Sequence, residues 1–182
     1  MRKSAVFAFL LFCSFVFDVR NHAGNARYRD ADIFAGDEPA LNDSVFLSVY
    51  SGKLGVPLDS NCNRELIATI AGWVGVPYRR AGYSKAGIDC SGFVSRIYKD
   101  VFCVDLTHSS SAMISQMKHS VLKSGLKEGD ILFFRIGGSH INHVGLYIKD
   151  HKFIHASPAR GIVVDDLRQA YYQRYYYTAG RP

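Results

Sequence analysis

The 182-residue chain reads as an α+β domain with its helices first and its strands after. Between Asn61 and Val101 apolar residues recur in two runs at helical spacing, whereas from Gly129 onward short β-branched and aromatic runs alternate with turn residues. Segregated helices and strands favour N-terminal helices packed on an antiparallel sheet or open barrel. A composition of 48% hydrophobic and 21% charged residues is that of a globular core and argues against disorder.

Residues 1–26 stand apart. Arg2 and Lys3 precede an uncharged run from Ser4 to Phe17, the pattern of a secretory signal peptide, with Gly24 and Ala26 fitting cleavage after Ala26. The run is shorter than the roughly 20 residues of a spanning helix, so no stable membrane span is expected after processing, an uncleaved anchor being the alternative. Phe12 before Cys13 argues against lipidation, which wants a small residue there. Processing would lower the net charge from +6 to +4, and no basic–aromatic interleaving points to nucleic acid. Residues 27–58 are expected to form a polar N-terminal extension, and residues 59–182 the functional domain.

In the first helical run, Leu66, Ile67, Ile70 and Trp73 share a face, Ser60 or Asn61 is the expected N-cap, and Gly75 before Pro77 ends the helix. The second run begins in AGIDCSGFVSRIY: Asp89 is the expected N-cap, and Cys90, Phe93, Val94, Ile97 and Val101 form the buried face. After a Ser-rich connection, strands are expected over 129–135, 142–149, 152–157, 161–166 and 174–179.

Export leaves Cys62, Cys90 and Cys103, an odd number. A disulfide between Cys62 and Cys103 stays open. Cys90 falls in the first turn of its helix, where unpaired backbone N–H groups and the positive end of the dipole favour a thiolate. A lone helical cysteine is usually a small buried apolar residue. A reactive one needs a base, and often a third group to orient that base.

Two histidines lie in strands. In HVGLYI the even positions Val144, Leu146 and Ile148 alternate with His143; in KFIHAS, Ile154 and Ala156 alternate with His155. For the even positions of both strands to share the core face, the hairpin must pair residues whose numbers sum to an even value. An odd loop such as Lys149-Asp150-His151 would give that register. His143 and His155 then share the opposite face as neighbours roughly 5–8 Å apart, and Gly145 leaves room beside them. The remaining histidines, His108 among them, sit in polar, loop-like contexts. The set lacks the short paired spacings of a structural zinc site, so no metal is expected.

The order GVPYRRAG, GIDCSGFVSRIY, LKEGDILFF, INHVGLYI and KFIHAS resembles the NlpC/P60 family of bacterial cell-wall cysteine peptidases over about residues 64–180. The resemblance implies a papain-like domain that hydrolyses amide bonds in peptidoglycan stem peptides, exported to the periplasm or cell envelope. Its implied residues are Cys90 as nucleophile, His143 as base and His155 as the group orienting it. Tyr78 would assist the oxyanion, while Asp89 and Ser91 would shape the acceptor for a stem-peptide amine. No cofactor is implied, a monomer is expected, and the expected bond joins γ-D-glutamate to a diamino acid. Ala81-Gly82 and Thr107-His108-Ser109 depart from the family's Gly-Gly and Arg-Thr-Ser, which touches specificity rather than chemistry. Other classes compatible with the sequence are a non-catalytic peptidoglycan-binding protein of the same fold and an acyltransferase using the same thioester.

Overall fold

The computed structural model describes residues 42–182; the expected signal peptide, Cys13 and the first part of the extension lie outside the described residues. Helix α1 (Asp43–Leu54) starts at Asn42, whose side chain accepts from the Val45 N–H, and ends at Gly55 in the left-handed conformation. Its Phe46 and Leu54 are buried in the main core, so the C-terminal part of the expected extension is packed helix. Helix α2 (Arg64–Trp73) begins later than expected. Asp59 accepts from the Asn61 N–H in a tight turn, and Asn63 caps the helix by accepting from Leu66 N at 3.0 Å.

The hairpin β1 (Tyr83–Ser84) and β2 (Gly87–Ile88) leads into α3 (Cys90–Phe102). Asp89 caps α3 as its sequence position predicts, accepting from Gly92 N at 2.7 Å. The Ser-rich connection forms the single turn α4 (Ser110–Met113) and a 3₁₀ turn, Ile114–Gln116.

The strands are β3 (His119–Val121), β4 (Ile131–Phe134), β5 (His143–Lys149), β6 (Lys152–Ser157), β7 (Gly161–Asp166) and β8 (Tyr176–Arg181), the last preceded by α5 (Ala170–Tyr175). They form one antiparallel sheet in the order β3-β8-β4-β5-β6-β7. The fold is therefore α+β with helices against an antiparallel sheet. The short β3 and α5 carry too few periodic residues to announce themselves in the sequence.

Strand alternation gives the sheet two apolar faces. Ile131, Phe133, Val144, Leu146, Ile154 and Ile162 pack with Phe93, Val94 and Ile97 of α3, while Leu132, Phe134 and Phe153 pack with Leu167 and Tyr172 on the other side. Helix α3 is thus pressed against β5 and β6. Gly129 adopts a left-handed φ of 86°, and the buried Asp130 beside it receives Arg181 Nε at 2.8 Å and Nη2 at 2.9 Å. That bidentate pair ties the last strand to the start of β4.

The β5–β6 hairpin corrects one expectation. Its loop is the two-residue turn Asp150-His151, with φ of 49° and 66°, and not the three-residue loop. Two residues in the left-handed region make a type I′ turn, whose twist suits a hairpin. An irregularity between Tyr147 and Lys149 absorbs the extra residue, so Leu146 pairs Ile154 and Tyr147 pairs Phe153. The even sum, and with it the shared face, holds through the body of the hairpin.

Candidate active site

Cys90 is the first residue of α3 and is 8% exposed. It lines a cleft of about 550 Å³ together with Tyr78, His143, His155, Arg160 and Tyr172. The chain reaches this wall through a crowded loop. The Asp89 carboxylate accepts from Ala81 N at 2.8 Å and from Gly92 N, so one side chain fastens the loop after Tyr78 to the start of α3. A Cβ on Gly82 would lie 2.3 Å from the Gly87 oxygen, and one on Gly92 2.6 Å from the Gly82 oxygen. Glycine is needed there for backbone to meet backbone.

Ser91 does not point to the cleft as a free hydroxyl: it donates to Asp89 Oδ1 at 3.1 Å. Asp89 Oδ1 also lies 2.8 Å from His108 Nε2. Burial raises the Asp89 pKa, but the hydrogen bonds from Gly92, His108 and Ser91 outweigh it and the carboxyl stays below its ordinary value. Sequence reading placed His108 in a loop, and the structure brings it to the cap of the Cys90 helix. Its imidazole packs against Gly92, where a Cβ would lie 2.7 Å from His108 Nε2.

His143 and His155 share one face, as the parity of their strands requires, with Nε2 of His143 2.9 Å from Nδ1 of His155. Both are buried, at 6% and 2% exposure. A Cβ on Gly145 would lie 3.1 Å from His155 Cβ, so a larger residue would crowd the pair. Phe134 contacts the His143 ring, and Phe153 stacks on His155 with centroids 5.0 Å apart.

The chain of polar groups continues beyond His155. Its Nε2 lies 2.9 Å from Asp165 Oδ2 and 3.1 Å from the Tyr172 hydroxyl. Tyr172 donates to Asp165 Oδ2 at 2.5 Å, and Arg160 donates through Nη2 at 2.5 Å and Nη1 at 3.2 Å. Burial alone would raise the Asp165 pKa; donors from His155, Arg160 and Tyr172 reverse this and hold it well below the carboxylate range. Asp165 was not singled out in the sequence, although the parity rule reaches it. The Pro158-Ala159-Arg160 loop is odd, Phe153 pairs Asp165, and both odd-numbered residues share the His155 face.

Electrostatics corrects the expectation of a preformed thiolate. Burial pushes the Cys90 thiol up; backbone N–H groups of Val144, Ser91 and Cys90 itself pull it down, but less. Burial also lowers the His143 pKa, helped by the neighbouring His155, with Asp165 opposing. The neutral thiol and neutral imidazole are therefore the resting forms at neutral pH. Alkylation of Cys90 by iodoacetamide, followed against pH, is expected to rise with a midpoint above that of an ordinary cysteine. A midpoint near pH 5 would contradict this reading.

Cys62 and Cys103 are both free, so the open disulfide is not formed. The glycine-containing segment 136–142 is closed by Asn142, which donates to the Ile136 oxygen at 2.7 Å and accepts from Ile136 N at 2.9 Å.

Cys90, at a helix start, thus lines one cleft with two imidazoles carried on the antiparallel sheet of an α+β fold. Residues 75–181 match the NlpC/P60 family, and the chain belongs to that family. It is 40% identical over 111 residues to the murein DD-endopeptidase MepS/murein LD-carboxypeptidase of Escherichia coli strain K12, covering 61% of this chain and 58% of that protein. The chain thus spans little more than half the length of that curated relative. A Haemophilus influenzae protein named "Probable endopeptidase" is 33% identical over 153 residues, covering 81% of this chain and 86% of that protein. Among solved structures, an NlpC/P60 family protein from Bacillus cereus superposes with a TM-score of 0.59 at 34% identity, over 64% of this chain and 39% of that one. RipD from Mycobacterium tuberculosis, described as a non-catalytic domain adapted to peptidoglycan binding, has a TM-score of 0.53 at 22% identity, over 64% of this chain and 93% of that one.

Proposed function

We propose that this chain is an exported cysteine peptidase that hydrolyses amide bonds in the peptide stems of peptidoglycan. In this reading residues 1–26 are the signal peptide, residues 59–182 the catalytic domain, and the cell envelope the place of action. One observation carries it: Cys90, His143 and His155 line a single cleft, and hydrogen bonds run from His143 through His155 to the Asp165 carboxylate. A binding cleft has no use for a buried imidazole relay ending at a carboxylate. A thiol nucleophile does.

The chemistry follows from the resting neutral pair. As the Cys90 sulfur adds to the stem-peptide carbonyl, His143 takes the thiol proton, so charge separates only while the bond forms. In this reading Tyr78, which lines the cleft with Cys90, and the Cys90 N–H donate to the developing oxyanion; burial, then the neighbouring Cys90 and Asp89, raises the Tyr78 pKa and keeps its hydroxyl protonated. The His143 imidazolium then protonates the leaving amine, and His143 acts as base for the water that cleaves the thioester. Asp89 and Ser91 serve the substrate indirectly, by fixing the Tyr78 loop and the start of α3 to each other.

The scissile bond is either γ-D-glutamyl-to-diamino acid or the D-alanyl crosslink, and the name of the 40%-identical relative favours the second. Digestion of purified stem peptides and intact peptidoglycan, read by mass spectrometry, tests the proposal. Fragments from either bond support it, and their masses separate the two. New amide or ester products formed only with added amines would instead indicate acyl transfer. Binding to peptidoglycan without any product would indicate a non-catalytic domain.

A further inference from the structure

The carboxylate at the far end of the imidazole chain exchanges no proton in the chemistry above, yet it is among the most heavily hydrogen-bonded side chains described. Asp165 Oδ2 alone meets three groups: His155 Nε2 at 2.9 Å, the Tyr172 hydroxyl at 2.5 Å and Arg160 Nη2 at 2.5 Å. An ionised carboxylate can only accept. Each of these three neighbours must therefore present a hydrogen to it.

That requirement propagates. A His155 ring whose single hydrogen sits on Nε2 has a bare Nδ1, an acceptor, and Nδ1 is the atom 2.9 Å from His143 Nε2. His143 must then carry its own hydrogen on Nε2 to make that bond. Its remaining nitrogen, Nδ1, is left bare. The reverse assignment fails at the Asp165 end, because a bare His155 Nε2 would set its lone pair against a carboxylate oxygen. The Tyr172 hydroxyl, with its hydrogen committed to Asp165, presents an oxygen lone pair to His155 Nε2 at 3.1 Å, which suits only an N–H there.

We infer that Asp165 is a positioning residue that sets the direction of the whole chain, holding both imidazoles as Nε2–H tautomers so that His143 offers Cys90 a bare Nδ1. The inference rests on the proposed role of His143 as the base for Cys90. When the thiol proton moves to His143 Nδ1, no other proton has to move: the Nε2–H bonds to His155 and from His155 to Asp165 persist, and the new positive charge is met by a carboxylate two hydrogen bonds away. Arg160 and Tyr172 keep that carboxylate ionised and stop it from turning. Arg160 lines the cleft as well, so the clamp stands at the wall against which substrate would lie.

The test is the tautomeric state, read from ¹⁵N resonances of histidine-labelled protein at a pH where the rings are neutral, beside steady-state kinetics. In the wild type, Nε2–H is expected on both His143 and His155. In Asp165→Asn a single oxygen remains for three donors, and when the amide nitrogen faces His155 that ring must accept, reversing both tautomers. Loss of the correct tautomer with geometry intact should lower kcat by about 10²-fold or more, with KM unchanged, by analogy with the wrong-tautomer effect in serine peptidases. Two results overturn the inference: a wild-type His143 with its hydrogen on Nδ1, or an Asp165→Asn protein that loses kcat while keeping both tautomers, which would make Asp165 merely structural. The wild-type spectrum decides the tautomers even should the variant not fold. Because it needs no substrate, Nε2–H tautomers in a protein that hydrolyses no stem peptide would support the assignment and sink the peptidase reading alone.

Discussion

Replacing Cys90 by alanine is expected to abolish release of stem-peptide fragments while leaving the protein folded. The chemical half of this expectation is absolute for covalent catalysis: without sulfur there is no thioester, and His143 has no thiol proton to take. The structural half follows from what the thiol contributes. Cys90 is the first residue of α3, where alanine is a good helix former, and the cap is made by Asp89 and Gly92 N, which the substitution does not touch. Removing one sulfur from the cleft wall should cost about 1 kcal/mol, roughly 2–4 °C in Tm for a chain of this size. Parallel digests of wild type and Cys90→Ala, with thermal melts of both, check it. Turnover retained by the variant would remove Cys90 from the mechanism. A collapse in Tm would mean that the thiol is a packing residue and that lost activity says nothing of nucleophilicity.

The limits of sequence reading here follow the range of the physical signals. Helix α3 and its Asp89 cap were legible because a capping residue directly before an apolar 3.6-residue period is a local feature. The shared face of His143 and His155 was legible for a different reason. Parity is conserved along a strand, so it survives even a wrong loop length when an irregularity in the ladder compensates, as happens before Lys149. The same rule contained Asp165, but nothing in GIVVDD distinguishes a buried relay carboxylate from an exposed one until Arg160 and Tyr172 are seen around it. His108 was out of reach, since its meeting with Asp89 spans 19 residues and depends on the path of the α3–α4 connection. The ionisation of Cys90 could not be read either. The helix start favours a thiolate, but the larger opposing effect is burial, a property of the assembled core rather than of the segment.

The two imidazoles should separate when each is removed, because activity and stability depend on them in different ways. His143→Ala is expected to lower turnover of stem peptides by about 10³-fold or more, near the upper part of the range for removing a general acid–base group. His155→Ala should cost less in turnover, about 10²-fold, since a water in the vacated space can accept from His143 Nε2 in place of the lost ring. Stability should run the other way. Among the described residues His143 has one hydrogen-bond partner, whereas His155 bonds to His143, Asp165 and Tyr172 and stacks on Phe153. Its removal leaves buried groups with fewer partners, at a cost of about 1–3 kcal/mol for each group left unsatisfied. His155→Ala should therefore show the lower Tm and His143→Ala the lower kcat. Equal kinetic losses would mean that the two rings act as a unit whose parts cannot be ranked by single substitutions. An inverted order in kcat would make His155 the group that exchanges the proton with Cys90, and the direction of the chain would have to be read from the other end.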